Sequence, residues 1–239
     1  MNPSSPLRLY TGQITRIDDE GQSTAIYKQP VAGAIALGPE GLAGDAQADR
    51  RVHGGPEKAV HHYAAENYAR LAERFPTIAA QLVPGSIGEN VSTLGWDERT
   101  VHIGDVFRLG TARVQVSQPR SPCWKIDHRY ATPGLARHVA ESGLTGWYYR
   151  VLETGIVAPG ADFELLERQP GALSLAALWQ LWGEHRPAPQ RLVDAAAAPG
   201  LTPGWSKRLA DRAAWLLTNA GAGEKPPTMF HVKPEAPEN

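Results

Sequence analysis

The stretch VHIGDVFRLGTARVQV, residues 101–116, constrains the fold more than any other. Two β-prone runs, residues 101–109 and 112–116, flank Gly110-Thr111, the pattern of an antiparallel hairpin. Side chains alternate along a strand, so Val114 and Val116 share one face and Arg113, Gln115 and Ser117 the other. Similar short runs recur at residues 7–17, 31–37, 147–152 and 162–166. With 24 Gly and 20 Pro to supply turns, they point to a mainly β chain, a barrel or sandwich rather than a βαβ sheet.

A few helices interrupt this series. Tyr68, Leu71 and Phe75 sit at helical spacing and stop before Pro76. The preceding KAVHHY, residues 58–63, is either the helix's first turns or a strand with Val60 and His62 on one face; the strand is favoured, because the helix is then of ordinary length. Thr132 and Pro133 form an N-cap and first-turn pair, opening a helix through Leu135, Val139 and Ala140 to Gly143. The texture changes after Gln169-Pro170-Gly171. Ser174 caps a helix with Leu175, Leu178, Trp179 and Trp182 on one stripe, and Pro189 opens a short alanine-rich second helix. Thr202-Pro203 opens a third, with Trp205, Leu209, Ala213 and Leu216 inward. The expected division is a β domain over residues 1–168, a three-helix domain over 172–220, and a disordered Pro-rich tail over 221–239. The MFHV island at residues 229–232 has no place in that scheme.

Charge narrows the function. The chain carries 24 Lys and Arg against 25 Asp and Glu, a net charge of −1. It lacks the electrostatic footprint of a nucleic-acid binder, and it shows no membrane-spanning or secretory run. A single cysteine cannot form an internal disulfide, which suits a reducing, cytoplasmic setting.

That cysteine lies in SQPRSPCWKI, residues 117–126. A lone cysteine is most often a small buried hydrophobe. Here Pro119 and Pro122 fix the backbone around it, while Arg120 and Lys125 bring positive charge that favours thiolate. Rigidly held loops often carry function, so Cys123 ranks as functional ahead of packing. A second cluster is His53-Gly54-Gly55-Pro56 with Lys58 and the pair His61-His62. Its glycines could offer backbone N–H groups to an anion, although a plain turn has the same letters. Zinc held by these histidines and Cys123 fits no ligand spacing, and adjacent histidines on a strand point to opposite faces. Among the basic residues Lys28, Arg50, Arg51, Arg120 and Lys125, Arg120 is placed best, its planar fork suiting phosphate or carboxylate. Gly88-Glu89-Asn90 and Gly104-Asp105 read as strand-edge turns.

Taken together, GLAGDAQADRRVHGGPEKAVHHY (residues 41–63), GEN (88–90), GDVFRLG (104–110) and VSQPRSPCWKI (116–126) resemble the MOSC family. Its name refers to the C-terminal domain of molybdenum cofactor sulfurase. The resemblance is to the YiiM-like branch, in which a small three-helix domain follows a MOSC β-barrel. It implies a molybdenum cofactor, a metal–pterin, with Cys123 as the thiolate ligand of the metal. Lys28, His53, Gly54, Arg120 and Lys125 would hold the pterin. By similarity to the mitochondrial amidoxime-reducing component, it further implies reduction of N-hydroxylated compounds, such as purine base analogues, to amines.

His62 is then the first choice for proton donor and His53 the second. Trp124 is either a flat wall for a heterocycle or a packing residue. No strand-linked G-x-G-x-x-G is present, so electrons are expected from a separate flavoprotein or iron–sulfur reductase. The three helices would dock that reductase, cover the barrel or form a homodimer. Two rivals remain: a carrier of sulfur or cofactor on Cys123, and a Cys–His hydrolase or transferase.

Overall fold

The computed structural model describes residues 6–17, 21–219, 223 and 227–231. In chain order the strands are β1 (Arg8–Thr11), β2 (Thr15–Ile17), β3 (Gln22–Thr24), β4 (Gln29–Pro30), β5 (Ile35–Gly38), β6 (Gly41–Leu42), β7 (Val60–Ala64), β8 (Val91–Thr93), β9 (Val106–Leu109), β10 (Ala112–Pro119), β11 (Trp147–Glu153), β12 (Gly155–Val157) and β13 (Phe163–Glu167). The helices are α1 (Arg50–His53), α2 (Ala65–Arg74), α3 (Lys125–Tyr130), α4 (Leu135–Ser142), α5 (Leu175–Gly183), α6 (Pro189–Ala196) and α7 (Pro203–Thr218). Among the described residues no helix is long and apolar enough to cross a membrane.

The fold is mainly β. Eight strands form one sheet, ordered β13-β9-β10-β11-β7-β8-β1-β4 and curled into a half-barrel. Its pairings are antiparallel except β7 with β8. The expected hairpin is β9–β10, with Leu109 opposite Ala112. Gly110 turns it at φ 61°, and a Cβ there would lie 2.4 Å from the Ile156 carbonyl oxygen, so only glycine fits. Val114 and Val116 are fully buried, whereas Ser117 is buried too despite its expected outer face. Its hydroxyl lies 2.6 Å from the Glu57 carbonyl oxygen and 3.0 Å from that of Tyr148, which satisfies it in place of water.

Three expectations need correction. β9 starts only at Val106, because the buried Asp105 carboxylate accepts from the His102 N–H and from Arg168, bending the chain before it. The run at 31–37 is a strand only from Ile35, while Gln29 and Pro30 pair with β1. Thr132-Pro133 does not open α4; the helix begins at Leu135, and Asp127 from α3 caps it. The Asp127 carboxylate accepts from Gly134 N at 3.0 Å and Ala136 N at 2.6 Å.

The later helices start where the capping residues put them. Ser174 Oγ accepts from Ala177 N at 3.1 Å, and Thr202 Oγ1 accepts from Trp205 N at 3.4 Å. Leu175, Leu178, Trp205 and Leu209 join Leu9, Val114, Val116 and Trp147 in one apolar cluster. The helices and the sheet therefore bury their apolar faces against each other, at about 1.5–3 kcal/mol for each large side chain taken out of water.

The expectation of a disordered tail fails at residues 227–231. Met229 fills the space that Gly183 leaves open, and Phe230 packs on the core cluster with the Arg137 guanidinium 5.9 Å from its ring centre. His231 N donates to the Pro122 carbonyl at 2.8 Å, and its own carbonyl accepts from Trp124 N at 2.9 Å. Apolar burial and two backbone hydrogen bonds offset the ordering cost of this short segment. Residues 220–222, 224–226 and 232–239 of the tail lie outside the described residues.

Candidate functional site

β10 ends at Pro119, and the next backbone N–H, of Arg120, donates to the Gly146 carbonyl at 3.0 Å. That bond ties the turn to the residue just before β11. Three residues on, Cys123 precedes α3, with its carbonyl accepting from Ile126 N at 3.0 Å. The tail bonds on either side, at Pro122 and Trp124, hold the loop from its outer flank. Cys123 is thus pinned by its sheet, its helix and the chain's own end.

Cys123 is 5% exposed and lines a cavity of about 80 Å³. Arg120, Lys125, His53, His61 and Tyr148 share that cavity, and Lys28, Asp45 and Asn90 form another part of its wall. Of the residues anticipated from sequence, Lys28, His53, Arg120, Cys123 and Lys125 come together here. His62, Gly54 and Trp124 do not.

His62 is a correction. It sits within the core, fully buried, its Nδ1 3.0 Å from the Tyr149 hydroxyl and its Nε2 3.0 Å from Thr93 Oγ1. Its ring lies 4.3 Å from that of Trp147, and burial pushes its pKa down to about 3. It has no contact with the cavity and cannot serve there as proton donor. Its neighbour His61 points the opposite way, as strand alternation requires, and faces the cavity. His61 Nδ1 lies 3.3 Å from the Gly88 carbonyl, which makes it the donor and leaves Nε2 an acceptor. That Nε2 is buried with no hydrogen-bond partner among the described residues. Burial, then the charge of Arg120, holds the imidazole well below its ordinary pKa. Sequence reasoning placed His61 in the second cluster without giving it a role, and passed over Tyr148. The signal for both was the apolar partner face, since Val60 and His62 pair with Tyr149 and Trp147 while His61 pairs with Tyr148.

Gly54 lies off the thiol cavity and lines the cavity that adjoins it. A Cβ there would lie 2.2 Å from Gln47 Oε1 and 3.0 Å from the Arg50 Cα, and the Gly55 N–H donates to the same Gln47 oxygen at 3.3 Å, so the glycine pair packs the loop onto residues 47–50. Trp124 meets His128 edge-on at 6.1 Å and is a packing residue.

Gly88-Glu89-Asn90 does more than turn the chain, and Asp45 joins it at the cavity wall. The Asp45 carboxylate receives Lys28 Nζ, the Gly12 N–H at 2.7 Å and Asn90 Nδ2 at 2.8 Å. Asn90 Oδ1 in turn accepts from the His61 N–H at 3.0 Å. Lys28 thus meets the cavity as half of an ion pair, with burial lowering its pKa and Asp45 opposing. Beneath it the fully buried Glu89 accepts from the Tyr68 hydroxyl at 2.6 Å and Gly85 N at 2.5 Å.

Positive charge dominates what remains. Arg120 is 5% exposed, and its Nη1 has no partner among the described residues. Lys125 Nζ donates to the Ser23 carbonyl at 2.6 Å. His53 Nδ1 is 3.3 Å from the Tyr148 hydroxyl. Its pKa is pushed down to about 3, by burial first and then by Arg120, His231, Lys58 and Lys125. Among the described residues no group of three or more His, Cys, Asp or Glu side chains could hold a metal ion. Cys123 offers a single soft donor, not a protein-built cage.

The comparisons with known proteins fit this geometry. A family model described as MOSC domain matches residues 49–164, which span both the His53 loop and Cys123. Over 211 residues the chain is 39% identical to "Protein YiiM" of Escherichia coli (strain K12), covering 87% of this chain and 92% of that one. The chain belongs to the MOSC family and is YiiM-like. The crystal structure of Escherichia coli YiiM matches this MOSC protein with a TM-score of 0.76 at 30% identity, over 93% of this chain and 96% of that one. The match therefore includes α5–α7 as well as the MOSC half-barrel. A "Reductase" of Gibberella moniliformis (strain M3125 / FGSC 7600) is 35% identical over 168 residues, 70% of this chain and 30% of that protein.

Proposed function

We propose that this MOSC protein is a molybdenum-cofactor-dependent reductase that converts N-hydroxylated compounds, such as purine-like base analogues, to amines. One observation carries the reading: Cys123 shares a cavity with Arg120 and His61, and each of these two keeps one buried polar atom, Nη1 and Nε2, without a hydrogen-bond partner among the described residues. A buried guanidinium donor without a partner costs free energy that an anionic ligand would recover. The donor set also fits, since one thiolate suits a soft, redox-active metal whose other ligands come from a pterin. When bound, the group supplies two-electron redox chemistry at the metal.

The chain's own residues do the rest. Cys123 would hold the metal, Arg120 and Lys125 would meet the cofactor's negative charge, and His61 Nε2 would accept from an N–H group. Reducing N–OH to N–H consumes two electrons and two protons and releases water. The His53–Tyr148 pair at the cavity wall is the candidate proton carrier, in place of His62. Anionic charge in the cavity raises the His53 pKa from its low value toward the range where a proton can be held. Electrons would come from a separate flavoprotein or iron–sulfur reductase in a reducing, cytoplasmic compartment, with α5–α7 as its docking face. A Cys–His nucleophile pair has less support, because no histidine hydrogen-bonds the Cys123 sulfur among the described residues.

The test is metal analysis of gently purified protein, with dye-driven reduction of an N-hydroxylated purine. Molybdenum near one per chain, lost in Cys123→Ser together with turnover, is the expected result. Turnover by metal-free protein would overturn it.

A further inference from the structure

Residues 229–231 do more than follow α7. Their backbone makes a parallel bridge with the loop that carries the sulfur, His231 lying opposite Cys123. The His231 N–H donates to the Pro122 carbonyl at 2.8 Å, and the Trp124 N–H donates to the His231 carbonyl at 2.9 Å. Those bonds fall on the residues just before and just after Cys123. While both hold, the loop cannot swing outward. On its inner side the loop is tied to the sheet, where the Arg120 N–H donates to the Gly146 carbonyl at 3.0 Å.

The two sets of ties differ in depth. Arg120 is buried and follows β10, a strand paired with β9 and β11. Met229 and Phe230, which anchor the outer segment, are only half-buried, and His231 is exposed. A segment with so few buried contacts opens at a fraction of the free energy needed to unfold the sheet. Other walls of the thiol cavity are stiffer. Asp45 is locked to Lys28, Gly12 and Asn90, and His61 and Tyr148 sit on paired strands. Cys123 is itself buried, so a ligand reaches the sulfur only when something around it moves. The outer segment moves most easily.

Gly183, the last residue of α5, supplies a catch for it. Apart from its own helix and chain neighbours, a Cβ built there would meet only Met229 among the described residues, Sδ at 2.9 Å and Cε at 2.8 Å. The glycine is a notch that the thioether fills. We infer that residues 229–231 are a releasable strap. They undock from the loop at Cys123 to admit a ligand to the sulfur and redock behind it, with Met229 in the Gly183 notch as the catch. That the ligand is a metal–pterin rests on the reductase reading; the gating of the sulfur does not.

Amide hydrogen exchange of the wild-type protein gives the first test. The Trp124 and His231 N–H groups should share one protection factor, because one opening frees both, and the Arg120 N–H should be at least about a hundredfold better protected. Trp124 protected as well as Arg120 would overturn the strap. The second test locks it. In Gly183→Cys/Met229→Cys the new side chains face each other across the notch, and a disulfide confirmed by peptide mapping holds the strap shut. The oxidised variant should label at Cys123 with a thiol reagent at least about tenfold more slowly than the wild type, and reduction should restore the rate. Equal rates in the locked and wild-type proteins would overturn the proposal. In protein that carries molybdenum, the lock should slow loss of the metal to a chelator by a similar factor. Slowed labelling in a chain that never carries molybdenum would keep the strap and sink the reductase reading.

Discussion

Replacing His62 by glutamine tests whether that imidazole belongs to the core or to the chemistry. Its nitrogens lie 3.0 Å from the Tyr149 hydroxyl and 3.0 Å from Thr93 Oγ1, and burial holds its pKa at about 3 against an ordinary 6.5. Between those two values the unfolded chain binds a proton that the folded chain does not. The stability tied to His62 is therefore full above about pH 6.5 and falls as the pH drops toward 3. For a shift of this size, linkage gives a loss of about 2 kcal/mol between pH 7 and pH 5. A glutamine amide can donate to one hydroxyl and accept from the other, and it does not titrate. Urea unfolding of both proteins at pH 7 and pH 5 reads the difference. The carboxylates, His53 and His61 contribute to both proteins and cancel. The variant should lose about 2 kcal/mol less than the wild type across that interval, and its kcat at pH 7 should stay within about twofold. An equal loss in both proteins would refute the burial argument. A large fall in kcat in a folded variant would return His62 to the chemistry.

Three further outcomes follow from geometry. Gly41 has φ 123°, and a Cβ there would lie 2.4 Å from the Ala59 carbonyl oxygen, so Gly41→Ala should cost about 2–4 kcal/mol in urea unfolding. A neutral result would mean that the turn before the His53 loop adjusts freely. Asp127→Ala removes the carboxylate that caps two N–H groups of α4 and should cost about 1–2 kcal/mol by the same assay. Phe230→Ala loosens the segment bonded to Pro122 and Trp124, so a thiol reagent should label Cys123 about tenfold faster. An unchanged labelling rate would show that the tail does not shield the sulfur.

Much of the fold was legible along the chain. The hairpin at Gly110, the strand reading of residues 60–63, and the starts of α5 and α7 at Ser174 and Thr202 all match the structure. So does the gathering of Lys28, His53, Arg120, Cys123 and Lys125 at one cavity. The misses share a cause. Asp127 caps a helix from outside it, Asp105 is held by Arg168, and His231 bonds the loop around Cys123. Each partner is distant in sequence, and no local window contains both halves.

His61 and His62 mark the boundary most clearly. Period-two geometry alone requires adjacent strand residues to point to opposite faces, so the chain states that at most one of the pair meets a given cavity. It does not state which. β7 pairs with β11 on one side and β8 on the other, and that pairing turns His62 toward Trp147 and Thr93 and His61 toward Cys123's cavity. Alternation, capping and proline stiffness act within a few residues and can be read from letters. Which face becomes the core, and what the chain's end covers, depend on contacts formed only after distant segments have packed.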